Sequence, residues 1–182
     1  MEAFSAGTLA GAGSFHCGRC GFGIALRERD AVPECPNCGH ARFARASLFG
    51  PLQAPGETHP AAESPEWLEG AREALTASGD YLAFDDGERV NVVPLQEGWT
   101  RIGRSLSAHV RFDDPTVSRR HALLYRDAEQ ARVLDDRSLN GVFRNGSKVD
   151  LAELTDGDEI AVGRFRLYFL VVSRERSPAA VA

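Results

Sequence analysis

"DDPTVSRRHALLYRD", Asp113 to Asp127, is the stretch whose reading decides the fold. Ala122-Leu123-Leu124-Tyr125 has the look of a half-buried strand. Ser118, Arg119, Arg120 and His121 stand together immediately before it. One turn residue is enough to start a strand, so a hydroxyl, two guanidiniums and an imidazole in a row are more polar chemistry than a core needs.

Outward from that stretch, the chain from residue 81 onward is a series of short β-like runs. Strands are expected over 81–84, 89–95, 100–103, 109–112, 121–125, 131–134, 142–144, 159–162 and 165–172. Turn signals separate them: Asp86-Gly87, Glu97-Gly98, Asn140-Gly141, Asn145-Gly146 and Asp156-Gly157. Many short strands at regular spacing predict a mainly β protein built as an antiparallel sandwich.

The chain has 182 residues, room for one ordinary domain and a small extra module. A formal net charge of −5 argues against a protein devoted to non-specific nucleic-acid binding, which wants a strongly basic surface. No run of 18 apolar residues is present, and the first residues carry an acid where a signal peptide would carry bases. A cytoplasmic protein with no membrane partner is the expectation.

All four cysteines, Cys17, Cys20, Cys35 and Cys38, fall in the first quarter, as C-x2-C-x14-C-x2-C. Two such pairs without a secretory signal point to a metal rather than to disulfides. Tetrahedral Zn²⁺ suits four thiolates, and a full thiolate shell leaves no position for a substrate water, so the expected Zn²⁺ is structural. A segment this short cannot bury enough apolar surface by itself. Metal ligation, worth roughly 10–16 kcal/mol in comparable peptides, would supply the difference. The residues "FHCGRCGF" and "ECPNCGHARFARASLF" resemble the zinc-ribbon class; iron in a rubredoxin-like site is the alternative metal. His16 and His40 flank the cysteines and could replace one of them as a ligand, but read first as surface neighbours. The segment's five arginines exceed its three acids by two, without a basic stripe.

Between the two regions, "GPLQAPGETHPAAESP" has no apolar period and reads as a flexible linker that leaves the modules independent. Ser64-Pro65-Glu66 then reads as a helix start and Ser78-Gly79 as its stop.

Three turn regions of the sandwich hold polar groups: Gly103-Arg104, Ser118-Arg119-Arg120-His121 and Ser138-Leu139-Asn140-Gly141. Alternate loops of a sandwich emerge at one end, so the three are expected to converge. Arginine forks suit phosphate oxygens, and an asparagine amide both donates to and accepts from a peptide backbone. "IGRS", "VSRRHA" and "SLNG", with the tail "LTDGDEIAVGRFRLYFL", resemble the forkhead-associated (FHA) domain, and further the small actinobacterial FHA regulators of central metabolism. The resemblance implies a phosphothreonine-binding module without enzymatic activity. By motif position it implies Arg104 and Ser118 on the phosphate, Arg119 lining the groove and Asn140 on the ligand backbone. Gly103, His121, Ser138 and Gly141 would support the loops. Many family members carry threonine where this chain has Leu139, a departure that bears on ligand selectivity.

The organisation expected is a flexible N-terminus over 1–14, a zinc ribbon over 15–49, a linker over 50–64, a helix over 65–78, an FHA domain over 79–173 and a flexible tail over 174–182. The function expected is a phosphothreonine-dependent adaptor or regulator in Ser/Thr kinase signalling. Its partners would be a phosphothreonine-containing protein and the kinase, with Thr58 or Thr8 as a possible self-ligand. The alternative is a nucleic-acid-binding or transcription-associated factor led by the ribbon and switched through the FHA module. Catalysis is not expected: Ser118 and His121 have no oriented third member, and no nucleophile elbow or P-loop is present.

Overall fold

The computed structural model describes residues 3–46 and 64–173. Most of the expected linker and the tail over 174–182 lie outside the described residues, and so does Thr58.

The cysteine segment is a four-stranded sheet of β1 (Ala3–Ser5), β2 (Gly13–Cys17), β3 (Gly23–Leu26) and β4 (Arg42–Arg45), in the order β1-β4-β2-β3. Its own small core gathers Phe15, Phe22, Ile24, Leu26, Val32 and Phe43 beside the cysteines. The expectation of a flexible lead over 1–14 is corrected. Ala3–Ser5 pairs with β4, and the Thr8 hydroxyl donates to the Ser5 carbonyl at 2.6 Å inside a turn. Two phenylalanines account for the difference: Phe4 meets Phe15 edge-on at 5.4 Å, a contact worth more than an open tail.

The helix α1 (Glu66–Glu73) is shorter than the expected 65–78. Pro65 rather than Ser64 occupies the N-cap, with no side-chain cap bond. Leu68 is buried and Trp67 packs edge-on against Tyr168, while Arg72 forks onto Asp156 with both bonds at 3.0 Å. These contacts bind the helix to the sandwich.

Two sheets face each other from residue 79 onward. One orders β13 (Leu151–Leu154), β10 (Ala131–Asp135), β9 (Ala122–Arg126), β7 (Gly98–Gly103) and β8 (Val110–Arg111). The other orders β12 (Ser147–Val149), β11 (Val142–Arg144), β14 (Glu159–Val162), β15 (Phe165–Val172), β5 (Gly79–Asp85) and β6 (Val90–Pro94). Inward residues of both sheets, among them Leu82, Phe112, Leu124, Val133, Ile160 and Leu167, form one core. Phe112 stacks on Phe165 at 4.2 Å between the layers.

The sandwich is antiparallel except where β7 and β8 run parallel. Strands β12 and β13 were not expected. Asn145-Gly146 does make the two-residue hairpin expected of it, with φ of 49° and 81°, and β12 is that hairpin's return strand. Among the described residues no helix is long and apolar enough to cross a membrane.

Candidate functional site

The three polar turns converge at one end of the sandwich, and hydrogen bonds tie them together. Arg104 N–H donates to the Ser118 carbonyl at 2.9 Å, and Ser105 N–H to that of Arg119 at 3.1 Å. A Cβ on Gly103 would lie 2.4 Å from the Arg119 carbonyl oxygen, so this close approach of two backbones needs glycine. The Ser118 hydroxyl accepts from Leu139 N–H at 3.0 Å, and the Ser138 hydroxyl from Gly141 N–H at 2.8 Å.

His121 is fully buried beneath this arrangement. Ser118 N–H donates to its Nδ1 at 3.1 Å, which leaves the proton on Nε2, 3.2 Å from the Gly141 carbonyl. Burial pushes the imidazole down to about 4, against smaller opposing effects of Gly141 and Asp135. A neutral histidine therefore bridges the strand entry to the Asn140-Gly141 turn.

Arg104 is 5% exposed and is held from several sides. Its Nε donates to Asp113 at 3.2 Å, Nη1 to the Ala25 carbonyl at 2.8 Å and Nη2 to Asp30 at 2.6 Å. Burial raises Asp30, but the Arg27 N–H and the Arg104 guanidinium outweigh it and hold the carboxyl below its ordinary range. The Arg104 hydrogen bond does the same for Asp113, together with Arg27 and Arg111 nearby.

Ala25 and Asp30 belong to the cysteine module, which rests on this end of the sandwich. The expected independence of the two modules is corrected. Asn140 Oδ1 accepts from Gly23 N–H at 2.7 Å and its Nδ2 donates to the Gly23 carbonyl at 2.9 Å. Ala25 N–H donates to the Pro115 carbonyl at 2.9 Å, and Arg27 pairs with Asp113 at 2.8 Å. The physical cause is an open strand edge. Strand β3 ends its sheet, and alternate residues of a strand turn their N–H and C=O to opposite edges. Gly23 and Ala25 meet the sandwich loops with the edge that β2 does not pair.

Arg119 makes no ion pair or side-chain hydrogen bond among the described residues, and Arg120 forks onto Asp136 at 2.6 and 2.8 Å. Both line an open cleft of about 910 Å³ beside the docked module, with Ser118, Arg137 and Ser138 on one wall and Ser14 and His16 on the other. Sequence reasoning missed Gly23, Ala25, Asp30 and Asp113. Asp30 is one of two acids in "RERD", and no spacing rule marks a backbone that will be bound from outside its own sheet.

The four cysteine sulfurs lie within 4.8 Å of one another. Cys17 and Cys38 are 3.6 Å apart, and Cys20 and Cys35 3.5 Å. A tetrahedron of Zn–S bonds of about 2.3 Å has edges of about 3.8 Å, so the donor set fits a four-thiolate metal centre. The two turns are matched: Gly21 N–H donates to the Cys17 carbonyl at 3.0 Å and Gly39 N–H to that of Cys35 at 2.8 Å. Of the five arginines in the segment, Arg45 lies over Phe15 and donates to the Ala10 and Ala12 carbonyls, and Arg27 is paired.

The FHA domain family matches residues 100–163, and a family described as a zinc-ribbon containing domain matches residues 1–47. An oxoglutarate dehydrogenase inhibitor of Corynebacterium jeikeium is 37% identical over 82% of this chain and 99% of its own length. The glycogen accumulation regulator GarA of Mycolicibacterium smegmatis is 35% identical over 69% of this chain and 77% of its own. An FHA domain from Chlamydia trachomatis superposes with a TM-score of 0.50 at 22% identity, over 53% of this chain and all of that one, which speaks to the fold alone. The fold, the converging loops and these likenesses together place the chain in the family of actinobacterial FHA-domain regulators that includes the oxoglutarate dehydrogenase inhibitor and GarA.

Proposed function

We propose that the protein is a non-enzymatic adaptor whose groove recognises phosphothreonine in a partner marked by a Ser/Thr kinase. The observation that carries this reading is the convergence of Arg104, Ser118, Arg119 and Asn140 at one end of a rigid sandwich. In it, Arg104 and Ser118 take the phosphate, Arg119 lines its approach and Asn140 holds the ligand backbone. Asn140 has the capacity for that role, since it already binds the backbone of one residue, Gly23, at both its N–H and its C=O. Gly103, His121, Ser138 and Gly141 keep the loops in place without touching ligand.

The metal is Zn²⁺, held by Cys17, Cys20, Cys35 and Cys38. It supplies folding energy to the ribbon, with every position filled by sulfur. A set of four reduced thiols suits the cytoplasm. Thr58, and Thr8 in its exposed turn, are the candidate self-ligands once phosphorylated.

Fluorescence anisotropy with a library of phosphothreonine peptides and their unphosphorylated twins tests the function. Binding confined to the phosphorylated members is expected. Equal binding of both sets rejects it.

A further inference from the structure

The contacts between the ribbon and the loops reproduce, without any phosphate, what a bound phosphopeptide would require. An extended backbone crosses the groove, with Gly23 on the Asn140 amide and Ala25 on both Pro115 and Arg104. Farther along the same segment an anion reaches the buried guanidinium, the Asp30 carboxylate on Arg104 Nη2. Leu139 closes the contact from the sandwich side: a Cβ at Gly23 would lie 2.5 Å from Leu139 Cγ.

We propose that strand β3 with Asp30 is a built-in, phosphate-free ligand of the FHA groove, so that ribbon docking and phosphopeptide binding exclude one another. This rests on the phosphothreonine reading of the groove. The exclusion follows from hydrogen-bonding capacity. Asn140 Oδ1 and Nδ2 both bond Gly23, and two nitrogens of Arg104 bond Ala25 and Asp30. A second backbone has no room at the same amide.

Competition then sets the affinity. A tethered ligand acts at about millimolar effective concentration, and the apparent dissociation constant of an outside peptide rises by the inverse of the open fraction. A phosphate carries nearly twice the charge of a carboxylate and three acceptor oxygens, so it is the stronger anion for Arg104. Arg119 faces the open cleft beside the docked strand, a landing point for the phosphate before Asp30 leaves. The ribbon is thus a threshold: weak or unphosphorylated peptides do not displace it, and a good phosphothreonine ligand does.

The test uses the full chain, isotopically labelled, titrated with a phosphothreonine peptide while the amides of Gly23, Ala25, Gly21 and Gly39 are followed by NMR. Saturation is expected to move Gly23 and Ala25 and remove their protection from exchange. Gly21 and Gly39, inside the cysteine turns, should stay put because the ribbon remains folded. Asp30→Asn and Gly23→Val, changes confined to the ribbon, are expected to bind the peptide about tenfold more tightly than wild type. Peptide binding that leaves Gly23 and Ala25 protected overturns the proposal, as does identical affinity in wild type and both variants. If no form binds any phosphothreonine peptide, the groove reading itself falls and the exclusion with it, even where protected Gly23 still reports docking.

Discussion

Asn140 and Gly23, 117 positions apart in sequence, form a two-point pair in which one side-chain amide satisfies both the backbone N–H and the backbone C=O of one residue. Both residues are buried, so neither half of the pair has water as a substitute.

Asn140→Ala is therefore expected to weaken ribbon docking. It leaves a buried N–H and C=O without partners, at about 1–3 kcal/mol for each group. Amide exchange at Gly23 in the full chain should accelerate strongly, while exchange in the sandwich core at Leu124 and Val133 changes little. The same substitution should remove phosphopeptide binding, since the ligand backbone loses its anchor.

Gly103→Ala places a Cβ against the Arg119 carbonyl, and backbone on both sides prevents an easy shift. Overpacking of this kind costs about 1–3 kcal/mol. A lower Tm by calorimetry is expected, with Gly70→Ala on the open face of α1 as a control that should not lower it.

His121 gives the sandwich an acid limit. Its folded value near 4 lies below the ordinary 6.5. Below about 6.5 the unfolded chain takes up a proton that the folded protein refuses until about 4. Stability is fully present above 6.5 and falls as pH drops through that window, at roughly 1.4 kcal/mol per pH unit. Urea midpoints at pH 7 and pH 4.5 measure the loss, and NMR of the imidazole should show Nδ1 unprotonated at pH 5.

Cys35→Ser, or removal of the metal with a strong chelator, should unfold the ribbon. The sandwich has a separate core and should stay folded. With the ribbon undone, phosphopeptide affinity is expected to rise rather than fall. Circular dichroism and peptide titration of the same sample check both halves.

The sandwich and the cysteine cluster were legible because each rests on local rules. Alternation and Asn-Gly or Asp-Gly turns marked most strands, and the spacing of Cys17, Cys20, Cys35 and Cys38 marked four thiols that the fold brings together. Strand β12 was hidden only because Ser147-Lys148-Val149 is too short and polar to show alternation, although the Asn145-Gly146 turn pointed to it. Strand β1 was hidden because Ala3-Phe4-Ser5 becomes a strand through its pairing with β4. The docking of Gly23 and Asp30 left no trace of its own, since it depends on backbone groups and on one carboxylate meeting a distant arginine. The three loop motifs were legible as a constellation, and what lies across them was not.

Arg104 joins the two halves of this account, because it is the proposed phosphate fork and also the seat of Asp30. Calorimetric titration of wild type and Arg104→Ala with one phosphothreonine peptide is the most direct measurement. Wild type should bind at about micromolar Kd, and the variant should lose about 2–5 kcal/mol even though the ribbon has lost its hold on the guanidinium. Undiminished affinity in Arg104→Ala would contradict the phosphothreonine reading of the groove.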